Sequence, residues 1–224
     1  MADGKSSIDK FLLSAQVMIE NAISDPIVKA ALEVYGYTGH KLQSGKTLYH
    51  EAVALQNIQK KEYGEQIAAT AELNSIWKTA HQQYIRTLKI ARVAFQDNVK
   101  AGNAAILHGR RKESLSGWLA QAQVFYTNII NDGFFVNALA EYDYSPAKLS
   151  QEAALLEQVA AKNAQQKTKT GEAHAATEAR DKKIDELANW VSDLRAVVKV
   201  ALADNPQQLE KLGILARTKV KCKR

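Results

Sequence analysis

The chain has very little cysteine and proline, and it has no long apolar run. A single cysteine, Cys222, cannot form an intrachain disulfide, which excludes a disulfide-stapled scaffold and fits a reducing compartment. No run of about 18 apolar residues occurs, which argues against a membrane-spanning helix. The polar start, Met1–Ser7, lacks the apolar core of a secretory leader. We therefore expect a cytoplasmic protein.

Only three prolines interrupt 224 residues, while alanine, glutamine, lysine, glutamate and leucine are abundant. These residues have high helix propensity, and strand-like runs of β-branched and aromatic residues are essentially absent. A hydrophobic fraction of 46% is enough to supply a core. The composition therefore predicts an all-α protein.

The net charge of +6 is unevenly distributed along the chain. Residues 1–98 sum to about +1 and residues 114–216 to about −3. The short segments 99–113 and 217–224 sum to about +3 and about +5. Because the long segments are nearly neutral, the pattern argues against a dedicated nucleic-acid-binding face.

The two halves of the chain resemble each other when Ser7 is aligned with Ser114 and both are read forward without gaps. Roughly 27 of about 92 paired positions are identical, far above chance for unrelated segments. The identical pairs include Leu12/Leu119, Asn21/Asn128, Asp25/Asp132, Tyr37/Tyr144, Gly64/Gly171 and Asp97/Asp204. One offset of 107 positions holds throughout, which indicates an internal duplication.

The duplication predicts an elongated helical bundle built from two tandem copies of a unit of about 107 residues, each with long coiled-coil-like helices. We assign the first helical repeat to residues 7–108 and the second to residues 114–215. A basic connection, 109–113, joins the repeats, and a basic C-terminal tail, 216–224, follows them.

Helix boundaries and packing faces are marked in both halves. Polar caps followed by proline favour helix starts at Asp25-Pro26, Ser145-Pro146 and Asn205-Pro206, with weaker equivalents at Asp132-Gly133, Thr38-Gly39 and Asp97-Asn98. Spacings of three and four predict buried faces at Trp77, Ala80, Tyr84, Thr87, Ala91 and Ala94, at Leu149, Ala153, Leu156, Ala160 and Asn163, and at Ile184, Leu187, Val191, Leu194, Val198 and Ala201. Such stripes are typical of core rather than of a cofactor site.

Two interpretations are open for the polar, small-residue stretches around Gly64 and Gly171. Each glycine lies either at a hairpin tip, which would make a three-helix bundle, or inside one continuous helix of about 55 residues, roughly 80 Å long. The lack of a good cap after either glycine favours continuity. The spacing Gly64 to Ala68 and Gly171 to Ala175 predicts a close approach of two helices there.

No pattern typical of a catalytic or metal site is present in the sequence. None of the five histidines has a partner at metal-ligand spacing, and none aligns with a histidine of the other half. Ser44-Gly45-Lys46-Thr47 resembles only the end of a phosphate-binding loop, without the earlier glycine or a preceding strand. We predict no catalytic residue, no metal ligand and no cofactor.

Two groups of surface residues remain as candidate contacts. The basic connection and tail supply candidate anion contacts at Arg110, Arg111, Lys112, Arg217, Lys219, Lys221, Lys223 and Arg224. Two Tyr-x-Tyr pairs occur, Tyr35/Tyr37 and Tyr142/Tyr144. Their rings either contact a partner or plug the end of the bundle where a short helix meets a long one.

These features favour a non-catalytic structural, scaffolding or self-assembling protein that acts through helix-mediated contacts. Its partner is expected to be itself, as a homo-oligomer, or another protein, because each copy offers an equivalent surface. The alternative is a binder of nucleic acid or an anionic surface through the connection and the tail. A helical-bundle enzyme or metal protein is a third class with less support.

Overall fold

The computed structural model describes residues 3–215, with side chains from Ile8 onward. This part of the chain is helical without any strand, which confirms the predicted all-α class. The helices are α1 (Asp3–Ser24), α2 (Pro26–Glu33), α3 (Gly39–Ala94), α4 (Val99–Ala104), α5 (Leu115–Ile130), α6 (Gly133–Ala140), α7 (Pro146–Ala201) and α8 (Gln207–Lys211).

Two helices of 56 residues each, α3 and α7, dominate the fold. Gly64 and Gly171 lie inside them, so the continuous-helix interpretation is confirmed and the hairpin tip is wrong. One glycine costs a helix only about 1 kcal/mol, which is too little to break a helix held by packing along its length.

Capping bonds confirm the predicted starts of α2 and α6. Before α2, the carboxylate of Asp25 accepts a hydrogen bond from the backbone N–H of Ile27 at 2.9 Å. Before α6, Asp132 accepts one from the backbone N–H of Phe134 at 2.9 Å. Both aspartates have extended backbone, as a cap residue requires. The start predicted at Asn205-Pro206 is displaced, because α8 begins at Gln207 after Pro206 and has no side-chain capping bond.

The chain divides into two compact units. The first unit contains the described residues up to Glu62 and those from Ala173 onward, and the second unit contains Tyr63–Glu172. Each unit therefore includes one segment of α3 and one of α7. The division differs from that of the sequence copies, 7–108 and 114–215, whose boundaries stay a sequence-based prediction.

The first unit has an apolar core to which α1, α2, α3 and α7 contribute. The predicted face of α7 is buried here, with Leu187 and Leu194 fully enclosed. Gly45 of α3 lies directly against the indole ring of Trp190 of α7. Further buried members are Leu12, Ala15, Met18, Ile19, Ala22, Val28, Leu32, Leu42 and Val198.

The second unit has a separate core to which α3, α4, α5, α6 and α7 contribute, and it is richer in aromatic residues. Tyr84 makes edge contacts with Phe125 and Trp118, with ring centroids 5.2 and 6.4 Å away. Edge-to-face pairs of this kind stabilise a core beyond the area they bury. The predicted faces of α3 and α7 are buried here at Ala80, Tyr84, Thr87, Ala91, Leu149 and Leu156.

Similar hydrogen bonds occur in the two units at positions 107 residues apart. In the first unit the Asn21 amide donates to the carbonyl of Lys211 at 2.5 Å. In the second unit the Asn128 amide donates to the carbonyl of Ala104 at 2.6 Å. Each bond satisfies a carbonyl at the end of a short helix, α8 or α4.

Candidate interaction site

The connection between α4 and α5, in the second unit, is held in place by Arg111. Its guanidinium donates to the phenol oxygen of Tyr84 at 2.9 Å, to the carbonyl of Ile106 at 3.0 Å and to that of His108 at 2.5 Å. Tyr84 is fully buried, so these bonds fix the loop to the core. The Arg111 guanidinium is therefore committed to the protein's own acceptors, which differs from the predicted anion contact.

Further contacts fix the same loop on both sides. The Arg92 guanidinium donates to the carbonyl of Leu107 at 2.6 Å, and the backbone N–H of Lys112 donates to the side chain of Gln121 at 3.2 Å. A Cβ at Gly117 would stand 3.0 Å from the Cβ of Lys112, so a larger residue there would crowd the stem of that lysine. The loop consequently presents its neighbouring basic residues in a defined place.

A cleft of about 600 Å³ lies beside this loop, and we call it the tryptophan cleft. Trp77, Ile85 and Trp118 supply its apolar wall, with the two indole rings 6.0 Å apart. His81 also lines it, 6.0 Å from the Trp118 ring. Both indole N–H groups are buried without an acceptor in the described part of the chain. An unpaired buried donor costs roughly 1–3 kcal/mol.

The rim of the tryptophan cleft is basic. It contains Lys78 of α3 together with Arg110, Lys112 and Glu113 of the loop. Arg110 pairs with Glu113 at 3.0 Å, but their side chains are 88% and 82% exposed. An exposed pair contributes at most about 1 kcal/mol, so Arg110 is readily available to another anion. The anion contacts at Arg110 and Lys112 stay predictions.

The basic residues of the tail lie outside the described residues: Arg217, Lys219, Lys221, Lys223 and Arg224.

An exposed strip on α3 leads away from the tryptophan cleft, and we call it the α3 strip. It consists of Tyr63, Ile67, Thr70, Ala71 and Asn74, which border a groove of about 330 Å³. Spacings of three and four place these residues on one helix face. Tyr63 is 45% and Ile67 54% exposed, and Asn74 also lines the tryptophan cleft. Strip and cleft therefore form one continuous surface of the second unit.

The predicted close helix approach is corrected at its two glycines. A Cβ at Gly64 or at Gly171 would meet no atom within 4 Å, and both glycines are exposed, as are Ala68 and Ala175. Polar side chains bridge α3 and α7 instead.

Lys169 of α7 donates to Glu65 of α3 at 2.6 Å and to Glu172 at 2.7 Å. Its bonds to Glu172 and Glu65 raise the pKa of the Lys169 ammonium. Long ion-paired side chains keep two backbones farther apart than a small-residue contact would.

A buried carboxylate in the second unit was not singled out by the sequence. Glu152 accepts hydrogen bonds from Thr87 at 2.5 Å and from the phenol of Tyr126 at 2.9 Å. Burial, assisted by the nearby Glu152, raises the pKa of the Tyr126 phenol. The only indication of this buried carboxylate in the sequence is the polar Thr87 within an apolar stripe. Positions 107 residues away in the first unit carry Ile19, Leu194 and Gly45.

Each Tyr-x-Tyr pair has one buried and one exposed member. Tyr37 and Tyr144 are buried, each with the ammonium of the lysine four residues later 3.9 Å from its ring centroid. Burial of these two rings agrees with the plug interpretation. Tyr35 and Tyr142 are 49% and 41% exposed.

Comparison with known proteins yields no relative. The chain matches no family model, no curated protein and no solved structure. No helix within residues 3–215 combines the length and apolarity needed to cross a membrane.

Proposed function

We propose that the chain is a non-catalytic helical-repeat protein that self-assembles through helix-mediated contacts, with the α3 strip as the contact surface. The observation that carries the proposal is the exposure of Ile67 and Tyr63 along a groove on a long helix. Exposed apolar groups that line a groove favour a helix as the docking element.

The proposal includes the duplication of the unit. Its support is that α3 and α7 have equal lengths and begin at Gly39 and Pro146, 107 positions apart. The bonds of Asn21 and Asn128 to the ends of α8 and α4 add to this support. A duplicated chain carries two versions of each surface, which diverge independently.

We infer that the α3 strip binds a second copy of the chain, because an acidic surface on α7 complements the basic rim beside the strip. The segment of α7 in the first unit exposes Glu178, Asp181 and Asp185 at spacings of three and four, and we call them the acidic face. Lys182 and Arg180 offset part of this charge. The rim beside the α3 strip is basic. Opposite charges on two surfaces of one chain favour head-to-tail association.

The mass of the protein in solution, measured by light scattering over a concentration series, tests this proposal. We expect the wild-type mass to rise above the 24.7 kDa of one chain as concentration increases. Ile67→Glu places a charge in the contact and should keep the mass near that of one chain.

Ile58→Glu is the matched control, because Ile58 lies on α3 in the first unit and is 47% exposed. It should assemble like the wild type, and circular dichroism should show equal helix content in both variants. A wild type that stays a single chain at every concentration overturns the proposal. So does equal assembly by both variants.

The alternative, binding of nucleic acid or an anionic surface, keeps Arg110 and Lys112 as its described contacts. The commitment of Arg111 to protein acceptors leaves the connection with fewer cations for that role. Retention on heparin at low salt, lost on removal of residues 217–224, would favour this alternative over self-assembly.

A further inference from the structure

The size and lining of the tryptophan cleft are those of a small-molecule site. Its volume of about 600 Å³ falls within the range of roughly 300–1,000 Å³ found for ligand pockets. Such sites are lined mostly by apolar and aromatic side chains with a few polar groups placed at the edge. In this cleft the apolar and aromatic side chains are Trp77, Trp118 and Ile85, and polar groups at the edge include Lys78 and Lys112.

The polar groups at the rim of the cleft favour a ligand that carries a hydrogen-bond acceptor. Lys78, Arg110 and Lys112 are cations, and Glu113 is the acid beside them. The indole N–H groups of Trp77 and Trp118 are buried, so the cations of the rim are the groups that select the ligand's polar end. An aromatic body against the wall would leave a negative group facing the cations of the rim, whose charge-assisted hydrogen bonds are stronger than neutral ones.

The first unit does not repeat this chemistry. Positions 107 residues from Trp77, Lys78, His81 and Trp118 carry Ile184, Asp185, Ala188 and Phe11. The acid at Asp185 would repel an anion, and the indoles are absent there. Within residues 3–215 the cleft is therefore a feature of the second unit, which predicts one bound ligand per chain.

We propose that the tryptophan cleft binds a small aromatic carboxylate whose ring body is about the size of two fused six-membered rings. The ring lies against the indole wall, and the carboxylate lies at the basic rim. This site goes beyond the proposed self-assembly, and its binding can be measured whether or not the chain assembles.

Nuclear magnetic resonance of the full ¹⁵N-labelled chain tests the site, with 2-naphthoate as the probe. The three tryptophans, Trp77, Trp118 and Trp190, give three indole N–H signals, which Trp77→Phe and Trp190→Phe assign. We expect saturable shifts of the Trp77 and Trp118 signals at a stoichiometry of one. The Trp190 signal belongs to the first unit and should stay in place.

The uncharged probe 2-naphthamide is the matched ligand, and we expect it to bind at least about tenfold more weakly because it lacks the charge. The double variant Lys78→Gln/Lys112→Gln should weaken 2-naphthoate binding by about fivefold or more. Lys89→Gln, an exposed lysine of α3 outside the cleft, should have no effect.

Three results would overturn the proposal. The first is the absence of a saturable shift up to millimolar 2-naphthoate. The second is an equal shift of the Trp190 signal, which would indicate unspecific association. The third is equal affinity for the two probes, or for the double variant and the wild type.

Discussion

Gly45 of α3 and Trp190 of α7 are packed so closely that a methyl group at Gly45 would overlap the indole ring. Helix propensity alone would make Gly45→Ala stabilising by about 1 kcal/mol. Overpacking against a rigid ring costs about 1–3 kcal/mol and should outweigh it. We therefore expect Gly45→Ala to lower the free energy of unfolding.

Gly64→Ala is the control for this prediction, because Gly64 lies on the same helix with open space around it. It should raise the free energy of unfolding by up to about 1 kcal/mol. Urea unfolding of both variants measures the difference, which should be about 1–3 kcal/mol. Equal stability of the two variants would show that α3 and α7 are not this close at Gly45.

Arg111 should prove to be a structural residue. Arg111→Met keeps the aliphatic stem but loses the donors to Tyr84, Ile106 and His108. We expect a loss of about 1–3 kcal/mol and faster amide hydrogen exchange in residues 105–114. Arg110→Met removes only an exposed pair and should change stability by less than about 0.5 kcal/mol. If the two variants lose equal stability, Arg111 does not anchor the loop.

Stability at high pH should depend on Tyr126. Burial near Glu152 raises the pKa of its phenol above the ordinary 10.0. A raised native pKa gives stability that is complete below pH 10 and is lost as pH rises further, because the unfolded chain releases its proton first. Tyr126→Phe should lower stability at neutral pH by about 1–3 kcal/mol and flatten its fall above pH 10. Urea unfolding at pH 8 to 11 measures both effects. An unchanged pH slope would contradict a buried, protonated phenol.

Ligand binding in the tryptophan cleft should oppose assembly. The rim residues Lys78, Arg110 and Lys112 serve both the carboxylate and the acidic face of a second copy, so the two compete. Saturating 2-naphthoate should therefore lower the mass seen by light scattering, and 2-naphthamide should not. Assembly that is unaffected by bound 2-naphthoate would place the two events on separate surfaces.

The sequence predicts local structure well in this chain, because local structure depends on neighbouring residues. The caps at Asp25 and Asp132 and the continuity of the helices through Gly64 and Gly171 follow from residue type and spacing. The buried faces of α3 and α7 follow from the same periodicity.

Contacts between distant segments are what the sequence does not predict. Gly45 stands out in sequence only as part of a phosphate-loop resemblance, whereas its structural role is to admit Trp190. The sequence predicts Arg111 to be a surface cation, whereas in the structure it donates hydrogen bonds to Tyr84 and to loop carbonyls. Trp77 and Trp118, 41 positions apart, become one wall only when α3 and α5 pack together.

A charge-reversal experiment tests the head-to-tail contact most directly. One variant carries Lys78→Glu, Arg110→Glu and Lys112→Glu, which reverses the rim. The other carries Glu178→Lys, Asp181→Lys and Asp185→Lys, which reverses the acidic face. Each variant alone would bring like charges together, at a cost of several kcal/mol in a contact.

The decisive measurement is the mass of an equimolar mixture of these two variants by light scattering. We predict that each variant alone stays near the 24.7 kDa of one chain and that the mixture assembles as the wild type does. Variants that assemble alone as well as the wild type, or a mixture that stays at the mass of one chain, would contradict self-assembly through these surfaces.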